Sequence, residues 1–234
     1  MTDSSPIGIV CGSGINLTPL LDTTTQTISF SEIVGLPDTS VDGHEGTFVC
    51  GFCDNTPLIL QCGRLHFYEG HDFNSVVSTV NKLHDLGATT IIFTNAAGGL
   101  KPEMNPGDLL AADNLALWPS TRWPDHPHSI ETDFLLEGCD HVGTYTYIHG
   151  PCYETQAEIH ALQSTHTHAV GMSTAPEIAQ CHALGIRAAS ISCITNNCCS
   201  PQTLTHDHVV RIAADASERI SSIIRNALQT IRIG

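Results

Sequence analysis

Short apolar runs of strand length recur along this chain, and each gives way to small or polar residues. IGIVC runs into Gly12-Ser13-Gly14, LILQC into Gly63-Arg64, TIIFT into Asn95-Ala96-Ala97, and AVG into Met172-Ser173-Thr174. Segments of helical period lie between them. SVVSTVNKLHDLG places Val76, Val77, Val80, Leu83 and Leu86 at helical spacing, with Gly87 as a C-terminal stop. TQAEIHALQST is helical, TAPEIAQCHALG is a helix opened by Thr174 and Pro176 and closed by Gly185, and THDHVVRIAADASERISSIIRNALQTI is a long terminal helix. EGTFVCGF and PLILQCGRL flank the turn-forming CDNTP, which predicts a hairpin. TTIIFT is expected to be a strand over 89–94 that ends in a small-residue turn. GDLLAADNLALW is expected to be a strand pair or one long bent strand, and residues 118–140, rich in Pro and polar groups, an irregular loop. Strands alternating with helices imply an α/β sheet covered on both faces.

The chain has 234 residues, 41% of them apolar, which suits a single domain over 1–234 with a sizeable core. Its formal charge is −15 and its nine Lys and Arg are scattered. Nucleic acid and anionic membrane are thereby excluded as partners, since clustered cations supply that affinity. A small anion needs only one arginine and a few oriented amides. There are ten Cys, no basic leader at the start and no apolar run of membrane-spanning length. A reducing, cytoplasmic setting with Cys as small buried hydrophobes is the expectation. CGFC (Cys50 to Cys53) has a C-x-x-C spacing but the pattern of a strand. HPH, HTH and HDH have no Cys or carboxylate at ligand spacing, so no metal is expected.

In such folds ligands gather beyond the carboxyl ends of strands, and the polar candidates lie there. Small residues at these ends let main-chain N–H groups face an anion, and an arginine fork with serine hydroxyls completes a phosphate site. The segment RLHFYEGH concentrates Arg64, His66, Tyr68, Glu69 and His71. GSG is not a nucleotide loop: no Lys follows, and the last Gly of the dinucleotide fingerprint is missing. Bland readings compete. His66 and His71 could pack a strand end, Glu154 could be an acid in the first turn of a helix at 155, and Asn196 a turn residue. His206 could simply open the terminal helix behind a Thr205 cap, and His208 could face a ligand in its place.

Taken together and in order, GIVCGSG, QCGRLHFYEGH, TNAAGGL, GPCYETQAEI, GMSTAPE and SCITNNC resemble the trimeric purine nucleoside phosphorylases, from about residue 7 to residue 231. The resemblance implies a single α/β domain with a central mixed, partly barrel-like sheet flanked by helices, assembled as a homotrimer. It implies phosphorolysis of 6-oxopurine ribonucleosides such as inosine and guanosine to free base and ribose 1-phosphate, in purine salvage, without a cofactor. The family's phosphate contacts fall on Ser13, His44, Arg64, His66, the Ala96 amide and Ser173. Its nucleoside contacts fall on Tyr68, Tyr153, Glu154, the Met172 main chain, Asn196 and His206. Asn196 is the donor to purine N7, Glu154 the acceptor for N1–H, and His66 the third catalytic group. The related methylthioadenosine phosphorylases carry a serine and an aspartate at the base-reading positions, so an adenine substrate is disfavoured. The chain is shorter than the family's usual size, chiefly between Trp118 and His141. There the family supplies a phenylalanine that covers a neighbour's ribose, and Trp118, Trp123 and Phe134 are the candidates here. Two other readings stay in play: a hydrolase on the same scaffold, and a nucleoside-binding or storage protein with weak turnover.

Overall fold

In the computed structural model, residues 5–37, 39, 45–118, 123, 127–200 and 205–231 are described. The strands are β1 (Ile7–Cys11), β2 (Thr23–Ser29), β3 (Thr47–Cys53), β4 (Thr56–Cys62), β5 (Thr90–Gly99), β6 (Leu109–Leu117), β7 (Ser129–Glu131), β8 (His141–Tyr147), β9 (Ala169–Gly171) and β10 (Arg187–Asn197). The helices are α1 (Phe73–Asp85), α2 (Gln156–Ser164), α3 (Ala175–Ala183) and α4 (His206–Ile231). All the strands belong to one mixed sheet, ordered β10-β6-β8-β9-β5-β1-β4-β3-β2 with β7 beside β6. β10 also pairs with β5, in parallel and along its whole length. β5, β9, β8, β6 and β10 therefore close into a small barrel, and β1, β4, β3 and β2 extend from it as an open wing. The expected partly barrel-like α/β domain is this arrangement.

Central strands are buried on both faces, so their residues alternate between two cores. Ile91 and Phe93 pack with Val80 and Leu83 of α1 and Ile178 of α3, while Ile92 packs with Ala213, Ile220 and Ile224 of α4. Cys50 packs against the first core and Cys53 lies in the second, so CGFC is strand filler whose two thiols point apart. The β3–β4 hairpin turns on Asp54 (φ 46°) and Asn55 (φ 64°), the paired left-handed residues of a two-residue loop whose twist matches the strands. Asp72 caps α1 by accepting from the Ser75 N–H at 2.8 Å. Thr155 and Glu158 cap α2 reciprocally, the Glu158 carboxylate accepting from the Thr155 N–H at 2.8 Å.

Two local expectations change, one open alternative is decided, and one strand goes unmarked in the sequence. β5 and β10 run on through TNAAGG and TNN, because each is the other's parallel partner and the pairing continues to Gly99 and Asn197. GDLLAADNLALW is one strand, bent where its register with β8 shifts between Ala112 and Asn114. The expected loop at 118–140 contains β7, and its Trp123 is buried, stacked on Phe67 at 5.8 Å and 4°. β2 was invisible to periodicity: TTTQTIS is an exposed edge strand whose side chains need not alternate, since one edge and most of its surface face water. No helix among the described residues is long and apolar enough to cross a membrane.

Candidate active site

The site follows from an exchange of partners along one edge of β5. β1 pairs with β5 from Thr90 to Phe93 and then turns away at Gly12, while β9 takes up the same edge only at Gly98 and Gly99. Residues 94–97 lie in the gap. Main-chain groups of alternate residues point to the same edge of a strand. The Thr94 carbonyl turns into the gap, where it accepts from Arg64 Nη1 at 3.0 Å, so the Ala96 N–H faces the same way. A cavity of about 420 Å³ opens there, within the range of small-ligand sites. Its wall includes Ser13, Arg64, His66, Tyr68, Ala96, Tyr153, Glu154, Met172, Ser173, Asn196 and His206. Every site residue expected from the sequence is thus brought together except His44, which lies outside the described residues.

At one end sits Arg64, only 1% exposed. Burying a guanidinium costs several kcal/mol unless it is paired and hydrogen-bonded. Glu177, itself 1% exposed and on the first turn of α3, supplies the charge at 3.0 Å. Nη1 donates to the Thr94 carbonyl and, at 3.3 Å, to Ser173 Oγ. Nη2 is buried and makes no hydrogen bond among the described residues. An arginine fixed in this way at a cavity wall has the fork geometry that can receive an anion.

His66 stands next to it, its Nδ1 2.9 Å from Glu69 Oε1, which also accepts from the His66 main-chain N–H at 2.8 Å. Burial holds the imidazole below its usual pKa, with the Glu69 carboxylate acting against that. The Nδ1–Glu69 contact fixes the orientation of the ring in the cavity wall. The segment is not extended throughout: Phe67–Glu69 form a 3₁₀ turn, so Tyr68 reaches the cavity by stacking on His66 at 4.6 Å and 18°. Gly150 (φ 74°) makes that wall possible, because a Cβ there would sit 2.4 Å from Met172 Sδ and 3.1 Å from the Tyr68 ring.

The other end carries Glu154, Asn196 and Tyr153. Glu154 precedes the Thr155 cap of α2, so the first-turn acid is Glu158 and Glu154 is left to the cavity wall. Burial pushes its carboxyl above the usual range, and the nearby Glu158 charge adds to this. Asn196 lies in β10, not in a turn, just past a register shift that follows Ile194. Its Oδ1 accepts from Thr195 Oγ1 at 3.2 Å and its Nδ2 lies 3.4 Å from Cys198 Sγ, so both ends of the amide are held. His206 lines the cavity at the start of α4, whereas His208 Nδ1 meets Arg211 at 3.3 Å and is not part of the wall. Among the described residues, no group of three or more His, Cys, Asp and Glu side chains could hold a metal ion.

A family model described as "Phosphorylase superfamily" matches residues 6–135 and 140–229. Purine nucleoside phosphorylase 1 of Geobacillus stearothermophilus is 32% identical over 253 residues, covering 95% of this chain and 92% of that protein. The chain belongs to the purine nucleoside phosphorylase family. The Bos taurus purine nucleoside phosphorylase is 28% identical over 99% of this chain and 91% of its own length. The fold agrees: the Schistosoma mansoni purine nucleoside phosphorylase in complex with inosine superposes with a TM-score of 0.81 at 27% identity, over 96% of this chain and 89% of that one. The same enzyme in complex with adenosine gives a TM-score of 0.80.

Within the family frame, three supporting residues had no role assigned to them from the sequence. Glu177 and Glu69 look like ordinary helix and loop acids until folding sets them against Arg64 and His66. Thr94 looks like a strand residue, yet its hydroxyl accepts from the Gly12 N–H at 3.1 Å and donates to the Val10 carbonyl at 2.9 Å, tying β1's turn to β5. A carboxylate brought to the buried Arg64 from 113 positions away is a tertiary property, so spacing alone could not have found Glu177.

Proposed function

We propose that this chain cleaves purine ribonucleosides with inorganic phosphate, as a pentosyltransferase that needs no cofactor, releasing the base and ribose 1-phosphate. The observation that carries the reading is Arg64, buried at the cavity wall and charge-balanced by Glu177. Water as nucleophile would need no such anion site, which sets hydrolysis aside.

Phosphate is held by Arg64, Ser13, His66, Ser173 and the Ala96 N–H, with His44 as a further contact carried by the family resemblance. As the C1′–N9 bond breaks, positive charge grows on the ribose and electrons return to the purine. A phosphate oxygen fixed on the opposite face stabilises that charge and then bonds to C1′, a positioning effect. The Asn196 amide donates to purine N7, where negative charge develops, and loss of such a donor costs on the order of 10²–10³ in rate. Glu154 accepts from N1–H of a 6-oxopurine, which favours inosine and guanosine. Tyr68 and the Met172 main chain hold the ribose hydroxyls, His206 the 5′ end, and Tyr153 packs on the base.

The test is hypoxanthine release from inosine with and without phosphate. Release is expected to require phosphate and to yield ribose 1-phosphate. Equal release in its absence would identify a hydrolase, and tight binding without release a storage protein.

A further inference from the structure

We propose that Tyr145 is a positioning residue for the phosphate site, aiming Ser173 by holding a strained backbone turn from behind the cavity wall. The inference rests on the reading of Ser173 as a phosphate ligand.

Thr174 has φ 72° and ψ −48°. For a β-branched residue this is far outside the comfortable regions, and the Ala175 N–H donates to the Ser173 carbonyl at 2.8 Å. Together these define the rarer, strained hand of the γ-turn, which lies near φ of about +75° and ψ of about −65°. A residue in such a conformation costs about 1–3 kcal/mol and persists only where its surroundings over-determine it.

The surroundings here are specific. The Thr174 N–H donates to Glu177 at 3.0 Å, and its hydroxyl receives the Asn95 amide at 3.0 Å. Ser173 is held by one side chain at both main-chain groups. The Tyr145 hydroxyl donates to the Ser173 carbonyl at 3.1 Å and accepts from the Ser173 N–H at 3.3 Å. Tyr145 is wholly buried in β8, and its hydroxyl lies so close under Gly171 that a Cβ there would be 2.6 Å away. Burial raises the phenol to about 12, so it remains a donor at neutral pH. Ser173 Oγ in turn receives Arg64 Nη1 at 3.3 Å. The phenol, the turn, the serine and the arginine thus form one connected set, of which only the last two line the cavity.

Tyr145→Phe keeps the ring and removes only the hydroxyl. KM for phosphate should rise about tenfold, in line with the loss of one to two hydrogen bonds, while KM for inosine at saturating phosphate stays within about twofold. If Tyr145 acts through Ser173, adding Tyr145→Phe to Ser173→Ala should raise KM for phosphate by no more than about twofold further. Fully additive effects, or an unchanged KM for phosphate in Tyr145→Phe, would overturn the proposal. Should the variant melt too low for kinetics, the rise in melting temperature with phosphate replaces KM. A need for about tenfold more phosphate to reach the same rise supports the role, and a wild-type dependence overturns it. Ser173→Ala alone leaving KM for phosphate unchanged would remove the phosphate-site reading and this inference with it. A rise in Ser173→Ala with no effect of Tyr145→Phe would remove only the role of Tyr145.

Discussion

Glu154 carries its carboxylate where burial resists the charge, and this makes the base end of the site sensitive to acid. Its pKa lies above the usual carboxylate range, because of burial first and the Glu158 charge after it. The ionised form is the stronger, charge-assisted acceptor for N1–H of a 6-oxopurine, so that contact weakens as pH falls through the raised value. The loss begins at a higher pH than for an exposed glutamate, whose value is about 4.3. KM for inosine is therefore expected to climb on acidification while KM for phosphate follows a different profile. Measuring both across the acid limb, in wild type and Glu154→Gln, checks this. An identical acid limb in the variant would assign it to another group. The residue scale also shows what a sequence hides. Arg64 and His66 stand out as polar groups in a strand-end segment, but Glu177 lies 113 positions from Arg64 and gains its meaning only when α3 docks.

At the scale of elements, the cavity is made by one strand changing partners and by one turn lodged against a helix. Gly14 has φ 77°, and a Cβ there would lie 2.4 Å from the Val210 carbonyl of α4. The turn that presents Ser13 and the helix end that presents His206 are therefore fitted to each other through a missing side chain. Gly14→Ala should cost about 1–3 kcal/mol from backbone strain alone. It should also raise KM for the nucleoside as α4 is pushed away, which denaturant unfolding and initial-rate kinetics would register. Wild-type stability and KM together would show that the turn and helix move independently. The helices were legible from their apolar period and caps, and the central strands from their β-branched runs. The ends of β5 and β10 were not, because Asn, Ala and Gly carry no strand preference. They are extended only because each pairs with the other.

At the scale of the whole molecule, the base end of the cavity is open to solvent, with Tyr153 47% exposed. Of the aromatics that could cover a neighbour's ribose, Trp123 is spent inside its own chain, stacked on Phe67 and edge-on to Tyr147 at 5.3 Å. Phe134 lies under the Arg187 guanidinium at 5.7 Å, and Trp118 packs beside Leu100, Ile159 and Leu162. The homotrimer implied by the family resemblance is expected to appear in sedimentation equilibrium as a three-chain species at assay concentrations. A fully active monomer would show that the site closes without a neighbour.

The sequence by itself determined the α/β class, the covered sheet and the positions at which ligand groups would gather. Those depend on local period, composition and the order of motifs, which chain connectivity carries. Only the tertiary structure decided that β10 closes a barrel on β5, that the gap between β1 and β9 exposes the Ala96 edge, that Glu177 neutralises Arg64, and that His206 rather than His208 meets the cavity. Each is a pairing between residues far apart in sequence, and such pairings are selected by the packing of the whole core rather than by any local preference.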